Sequence, residues 1–292
     1  MIPLNEKLSS KKRLRGSHLI RRMCVVVVAC VVCFPAVANE RRIVSLSPAT
    51  TEWVVALGLQ SSLKGVTEQC DMPPSVRSLQ KVGSFMRMSL ERVLALHPTD
   101  VVVVDGFPEA QRRLLTSSGA SVHVFGPQRL KDFPDQILAM GKALGAPEAA
   151  GRLSSEFQNQ LRRAEGQRDA AVQRALFFVS SEPVYLVGSA SWLSDIFLLG
   201  GFENALNPTR SGELYPRVSP ESLLGLSGRH WFGFYEEENQ KLAAKEKMNL
   251  LSSRWSAKGK QRAFVEVLPA SLFLRPGPRL WEALGALRKI RK

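Results

Sequence analysis

Short apolar runs alternate with helix-like stretches along most of the chain after residue 42. The run at 43–46 is followed by Pro48 and Thr50, which open a stretch with helical spacing that stops at Gly58. Proline near the start and glycine just after the end are typical of an α-helix. The pattern therefore predicts a strand followed directly by a helix, which is the repeating unit of an α/β fold.

The same alternation continues to residue 125. It predicts strands at 63–66, 101–104 and 121–125, and helices at 89–96 and 109–117. The run at 101–104 consists of four valines, and a continuous β-branched run is typical of a strand that is buried on both faces of a parallel sheet. These elements together predict an open α/β lobe at residues 39–146.

Residues 147–171 have a different pattern, because this stretch is long and polar and contains no β-branched run. Leu153, Phe157, Leu161 and Ala164 fall on one helical stripe within it. A helix of this length spans roughly 35 Å at 1.5 Å per residue. The pattern predicts one long connecting helix.

After the connecting helix the alternation resumes. It predicts strands at 175–179, 230–234 and 263–267, and helices at 192–199, 220–226, 241–251 and from Pro278 onward. We therefore expect the α/β class, with two Rossmann-like lobes joined by a single long rigid helix. The second lobe would comprise residues 172–292.

The N-terminal residues carry a separate signal. Seven lysine and arginine residues precede an uncharged apolar run at 23–38, which ends in Ala36-Val37-Ala38. This order predicts a secretory signal peptide at residues 1–38 that is cleaved after Ala38. Two alternatives stay open: a retained membrane anchor, although the run is shorter than the roughly 20 residues of a spanning helix, and a lipoprotein modified at Cys30.

Charge and cysteine content limit the classes of function. The net charge of the whole chain is +14, and loss of residues 1–38 removes seven basic residues and one acidic residue, which leaves +8. The remaining basic residues are not interleaved with aromatic residues, so no nucleic-acid partner is expected. Cys70 is the one cysteine after residue 38, so the exported protein can form no intramolecular disulfide.

Six short segments stand out along the chain: residues 42–52 (RIVSLSPATTE), 65–73 (GVTEQCDMP), 88–92 (MSLER), 95–100 (ALHPTD), 215–221 (YPRVSPE) and 275–279 (RPGPR). In this order they resemble one known family, the periplasmic binding proteins for cobalamin, haem and ferric siderophores. The segment at 65–73 is most similar to the cobalamin binders.

The resemblance implies a monomeric periplasmic protein with its ligand in a largely preformed cleft between the two lobes. It implies delivery of that ligand to an ABC permease in the inner membrane, with no cofactor and no enzymatic activity. A corrinoid such as cobalamin is the first expectation, and haem or a ferric siderophore is the alternative. A further alternative is a membrane-tethered envelope protein that uses the fold for protein contacts and binds no ligand.

The resemblance also implies which residues bind the ligand. Phe85 and Tyr215 correspond to aromatic residues that pack on a corrin ring from opposite lobes, where flat faces bury much apolar area. Tyr185, expected in the loop after the strand at 175–179, is a third candidate. Each of the three could instead be an ordinary core residue, and Trp192 is expected to pack its own helix.

Polar ligand contacts are expected from three further residues. The resemblance places Arg275 in the cleft, where its guanidinium could bind corrinoid amides or phosphate, or the carboxylates of haem or a siderophore. The alternative is a solvated surface arginine. Ala49 and Thr50 begin the first helix, whose free N–H groups can meet a polar ligand edge. Thr50 could instead be the N-cap of that helix.

Glu91 and Glu221 each lie in the first turn of a predicted helix, one in each lobe. The resemblance implies that this pair docks into arginine pockets of the permease. The alternative is that each carboxylate only interacts favourably with the dipole of its helix.

Two departures from the family pattern keep the ligand class open. Met72 stands where an aromatic residue is usual, and the strand at 101–104 is not followed by the tryptophan of some cobalamin receptors. Cys70 is expected to be a small buried side chain, with a soft contact to a metal centre as the alternative.

The sequence gives little support for a metal site or for an enzyme. His97, His123 and His230 are not paired at metal-ligand spacing, so no metal site is expected. The sequence also has no nucleophile elbow, HExxH motif or phosphate-binding loop, which argues against catalysis.

Overall fold

The first lobe is built on a five-stranded parallel sheet. Its strands are β1 (Ile43–Ser45), β2 (Leu63–Val66), β3 (Gln80–Lys81), β4 (Asp100–Val104) and β5 (Ser121–Phe125). The strand order is β3-β2-β1-β4-β5, and every pairing is parallel. The order reverses between β1 and β4, and sheets of this type bind ligands outside the carboxyl ends of the strands near such a point.

Four helices accompany this sheet among the residues that the structure describes. They are α1 (Pro48–Ala56), α2 (Leu90–Ala95), α3 (Glu109–Ser117) and α4 (Phe133–Ala143). The sequence predicted the first three. It did not predict α4, whose Phe133, Ile137 and Met140 form a buried face.

The long helix α5 (Pro147–Gly166) begins where it was predicted and ends five residues before the expected end at 171. Phe157 and Ala164 of the predicted stripe are buried, and Leu153 and Leu161 are partly buried against the same core. Helix α4 packs along α5. That α5 alone acts as a rigid joint between the lobes stays a prediction.

The second lobe is built on a mixed sheet. Its strands are β6 (Gln173–Ser181), β7 (Val184–Leu186), β8 (Phe202–Asn204), β9 (His230–Tyr235) and β10 (Phe264–Pro269). The order is β10-β9-β6-β7, with β8 also paired to β6, and β7 is the antiparallel strand. Tyr185 was expected in a loop, but it lies in β7, because the chain turns back at once after β6 and pairs as a hairpin.

The helices described in the second lobe are α6 (Trp192–Leu199), α7 (Lys241–Trp255), α8 (Ala270–Phe273) and α9 (Leu280–Ile290). The predicted helix at 220–226 is instead a 3₁₀ helix, Pro220–Gly225.

One group of aromatic side chains joins the two lobes. The ring of Phe133 stacks on that of Phe157 with centroids 4.9 Å apart, and its edge meets Trp192 at 6.2 Å. Phe157 also contacts Trp281 at 5.0 Å. We call these four residues the aromatic cluster. Trp192 was expected to pack its own helix, but it also reaches across to the first lobe.

This computed structural model describes residues 40–85, 87–206, 213–226, 228–255 and 263–291, without the side chains of Pro220 and Trp255. The predicted signal peptide, its cleavage site after Ala38 and the alternative lipid site at Cys30 lie outside these residues. Within them, no helix combines the length and the apolar character that a membrane crossing requires.

Candidate ligand-binding cleft

The two lobes meet through segments that follow the carboxyl ends of their strands. Asp71 follows β2, and its Oδ1 lies 2.5 Å from Nη1 of Arg275, which follows β10 and α8. Arg129 follows β5 and pairs with Asp195 of α6, with Nε 2.9 Å from Oδ2. The two sheets therefore turn their carboxyl edges toward each other, as a shared ligand cleft requires.

Phe85 lies on a loop at this edge of the first lobe. The loop follows β3, and the Phe85 N–H donates to Oε1 of Gln69 at 3.0 Å. Gly83 precedes it at φ +106°, where an added Cβ would lie 2.6 Å from the Arg87 carbonyl oxygen, so the turn requires glycine. The Phe85 residue is 42% exposed, which excludes the alternative of an ordinary core residue.

Tyr185 and Tyr215 lie on adjacent segments of the second lobe. The chain at 214–218 runs beside β7, and the N–H of Leu186 donates to the Pro216 carbonyl at 3.1 Å. An added Cβ at Gly188 would lie 2.3 Å from the Glu213 carbonyl oxygen, so this close approach requires glycine. The structure therefore brings these two predicted residues together.

Tyr215 is partly exposed to solvent, and the pKa of its hydroxyl is raised. The residue is 39% exposed. Burial raises the pKa of Tyr215, and a hydrogen bond with the Trp192 side chain lowers it in part. The phenol is therefore protonated near neutral pH and offers a ligand both an aromatic face and a neutral hydrogen-bonding group.

Ala49 and Thr50 lie in the first turn of α1, as predicted, and their contact with a ligand stays a prediction. Ser47 is the N-cap of α1, because its Oγ accepts the Thr50 N–H at 3.2 Å and Pro48 takes the first helical position. The Thr50 hydroxyl lies 2.8 Å from the hydroxyls of both Ser45 and Ser47. Ala49 is 2% exposed and Thr50 0%, so neither side chain is accessible to a ligand in this conformation.

Arg275 bridges the lobes and is not a solvated surface arginine. Besides Asp71, its Nη1 lies 3.6 Å from Oε1 of Glu52, and its Nη2 donates to the Gln69 carbonyl at 3.3 Å. Its side chain is 15% exposed. The sequence placed Arg275 at the cleft but did not predict these partners, although Asp71 stands in the Cys-Asp-Met-Pro segment that carried the resemblance.

Glu52 is a buried carboxylate that the sequence analysis did not single out. Arg279 donates to it twice, at 3.0 and 2.8 Å, and this bond raises the pKa of Arg279. The neighbouring Trp53 indole donates to the Pro276 carbonyl at 2.8 Å, so α1 is tied to the second lobe at two points. We call Glu52, Asp71, Arg275 and Arg279 the ionic cluster.

Glu91 and Glu221 are both exposed, one in each lobe. Glu91 lies in the first turn of the six-residue helix α2, which Ser89 caps. Glu221 lies in the first turn of the 3₁₀ helix. Their predicted contact with a permease stays a prediction.

Cys70 lies beneath the Asp71 segment and is 1% exposed. The hydroxyl oxygens of Thr51 and Thr67 lie 3.2 and 3.1 Å from its Sγ. It is thus the small buried side chain that was expected. Within the described ranges, no group of three or more histidine, cysteine and acidic residues is arranged to hold a metal ion.

Comparison with known sequences identifies the family. A family model described as "Periplasmic binding protein" matches residues 43–248. The vitamin B12-binding protein of Pectobacterium carotovorum subsp. carotovorum is 29% identical over 212 residues, which cover 70% of this chain and 75% of the relative. That of Pectobacterium atrosepticum is 30% identical over 200 residues, covering 66% and 71%.

Solved structures agree with the two-lobed fold. The periplasmic vitamin B12 binding protein of Vibrio cholerae has a TM-score of 0.67 at 24% identity, over 85% of this chain and 95% of that one. A periplasmic heme binding protein from Pseudomonas aeruginosa has a TM-score of 0.71 at 24% identity, over 86% and 92%. Because the family match extends through most of both sheets, the chain belongs to the periplasmic binding proteins, the substrate-binding components of ABC transporters.

Proposed function

We propose that this protein captures a corrinoid such as cobalamin in the periplasm and delivers it to an ABC permease. The observation that carries the proposal is the alignment of about two thirds of the chain with proteins named vitamin B12-binding proteins. The positions of the exposed aromatic residues support a large, flat ligand.

Phe85 and Tyr215 would pack on the two sides of the macrocycle. Each exposes about two fifths of its surface at the facing edges of the lobes. Covering such apolar surface contributes about 25 cal/mol per Å². Because the ionic and aromatic clusters already hold the lobes together, binding would not require much ordering of the protein.

The polar contacts would come from Tyr185, Tyr215 and Arg275. The protonated Tyr215 hydroxyl suits a neutral amide edge, and Tyr185 lies opposite the exposed Arg217. Ala49 and Thr50 would act only through the position of the first turn of α1, since their side chains are buried.

Delivery would use the exposed carboxylates of Glu91 and Glu221. One lies on each lobe, so a permease with two basic pockets could bind both at once. This binding would depend on the distance between the lobes. Export would depend on the signal at 1–38, and the exported protein would act as a monomer with lobes at 39–146 and 172–292.

The experiment is titration calorimetry of the exported form with cyanocobalamin, hemin and a ferric siderophore. We expect cyanocobalamin to bind, and Phe85→Ala and Tyr215→Ala each to weaken binding about tenfold, which corresponds to about 1.4 kcal/mol. Phe264→Ala is the matched control, because Phe264 is 58% exposed but lies at the amino end of β10, away from the cleft.

Haem is the second candidate, because the fold is equally similar to that of heme binding proteins. Binding of hemin alone would replace the corrinoid proposal with this one. An absence of heat with all three ligands would contradict both and favour the tethered, ligand-free alternative.

A further inference from the structure

The ion pair of Asp71 and Arg275 is unequally exposed to solvent. The Asp71 side chain is 43% exposed and the Arg275 side chain 15%. The carboxylate is therefore the member of the pair that an incoming ligand meets first, and the guanidinium lies behind it.

The contacts of Arg275 limit how it can bind a second carboxylate. Its Nη1 is bound to Asp71 at 2.5 Å, and its Nη2 donates to the Gln69 carbonyl at 3.3 Å. Arginine binds carboxylates best through two parallel N–H bonds. A ligand carboxylate that bound the Nη1 side of the guanidinium would have to displace Asp71, and one that bound another side would lie close to the negative charge of Asp71.

Glu52 does not replace Asp71 in this role. It is 4% exposed, and Arg279 donates to both of its oxygens. Its closest approach to Arg275 is 3.6 Å. Asp71 is thus the carboxylate whose loss would change the availability of Arg275.

A ligand with neutral amides can form hydrogen bonds with both members of the ion pair. An amide N–H can donate to the exposed Asp71 carboxylate, and an amide carbonyl can accept from arginine without introducing a like charge. Corrin rings carry several such amides on their edge, whereas haem carries two carboxylates. The ion pair therefore distinguishes the two ligand classes that the fold can accommodate.

We propose that Asp71 is a specificity-determining residue, which occupies Arg275 and so makes the cleft select ligands with uncharged amide edges over ligands with free carboxylates. This inference rests on the proposed function, because it assumes that the ligand lies in the cleft between the lobes.

The test compares the wild type with Asp71→Asn on two pairs of ligands. The first pair is cyanocobalamin and its monocarboxylic derivative, in which one corrin amide is hydrolysed to the acid. The second is hemin dimethyl ester and hemin. Each pair has one macrocycle and two charge states, so the ratio of the two dissociation constants measures selection at the edge of the macrocycle, and agreement between the two pairs assigns it to charge.

We expect Asp71→Asn to reduce the preference for the uncharged member about tenfold, mainly because the acid binds more tightly to the released guanidinium. Adding Arg275→Gln to this variant should abolish that gain. Asp105→Asn is the matched control, because Asp105 is also exposed, follows β4 at the same sheet edge and bonds its own loop at Gly106. It should leave the preference unchanged.

Asp71→Glu guards against a result caused by misfolding, since it keeps the charge and should keep the preference. Thermal melts would confirm that each variant is folded. An unchanged preference in Asp71→Asn, or an equal change in Asp105→Asn, would overturn the proposal. If the wild type binds the hemin pair alone, the corrinoid function fails while the hemin pair still tests Asp71. Absence of binding by all four ligands overturns both.

Discussion

The aromatic cluster and the ionic cluster both connect the lobes, but they do so by opposite means. The aromatic cluster lies beside the long helix α5, and three of its four residues are at most 3% exposed. The ionic cluster lies at the facing sheet edges, and its members range from 4% exposure at Glu52 to a 43% exposed side chain at Asp71.

The difference separates stability from recognition. Apolar burial stabilises a contact without selecting a particular partner, and a closed aromatic group offers a ligand nothing to bind. Charged groups contribute less net stability because they lose hydration, but they impose direction and charge preference. We therefore expect changes in the aromatic cluster to affect mainly unfolding, and changes in the ionic cluster to affect ligand choice as well.

The largest expected effect is that of Phe133→Ala. Phe133 is fully buried and contacts rings of both lobes, so its loss leaves a cavity that the surrounding rings cannot fill. The free energy of unfolding in a urea titration should fall by about 3–5 kcal/mol. Leu138→Ala on the same helix is the control, because Leu138 is 41% exposed, and it should change little. Equal losses in both variants would contradict the role assigned to the cluster.

Glu52→Gln should have the next largest effect. It leaves the partly buried Arg279 without its charged partner, so we expect a loss of about 3 kcal/mol in the free energy of unfolding. The control is Glu109→Gln on α3, an exposed residue whose pKa is lowered to about 2 by hydrogen bonds from Arg112 and Arg113. Water screens that pair, so this variant should unfold like the wild type. A smaller loss in Glu52→Gln than in the control would show that burial does not set the strength of the ionic cluster.

Asp195→Asn tests a further charged contact between the lobes. Asp195 pairs with Arg129 and also accepts the Leu130 N–H at 3.0 Å, but the Arg129 side chain is 42% exposed. Screening should limit the loss in unfolding free energy to about 1 kcal/mol. Asp135→Asn, an exposed acid in the first turn of α4, should cost less.

The smallest expected effect is a pH dependence that involves neither cluster. Burial lowers the pKa of His230 from its ordinary 6.5, and Arg229 lowers it further. The folded protein therefore binds this proton less readily than the unfolded chain, so the contribution to stability is present above pH 6.5 and is lost as the pH falls toward the folded value. His230→Gln should reduce the change in unfolding free energy with pH over this range, measured by urea titrations. An unchanged pH dependence would show that other groups cause the loss of stability in acid.

Much of the fold follows from local patterns in the sequence. The strands at 63–66 and 121–125 and the helix at 192–199 have the predicted bounds, because turn residues flank each of these runs. Helix α4 and the short elements β3, β7, β8 and α8 were missed. Helix α4 was missed although Asp132 and Pro134 at its start are typical of a helix N-terminus. Tyr185 was placed in a loop because the three residues of β7 are too few to show alternation.

The candidate site was predictable only in part. The resemblance singled out Phe85 and Tyr215, and both lie exposed at the facing edges. The alternative that Thr50 is the N-cap of α1 was wrong, because the cap is Ser47 and the Thr50 hydroxyl is buried against it. A contact of this helix start with a ligand stays a prediction. No pattern in the chain indicated that Gln69 would hold the backbone of Phe85.

The sequence by itself determined the α/β class, most of the strands and helices, and the order of the motifs, because periodicity, caps and turns depend on residues close together in the chain. The tertiary structure decided which charges meet. Asp71 and Arg275 are 204 positions apart, and Glu52 and Arg279 are 227 apart. Such contacts depend on how the two sheets pack against each other. That packing is driven by hydrophobic burial, which leaves no local sequence pattern that identifies the charged partners.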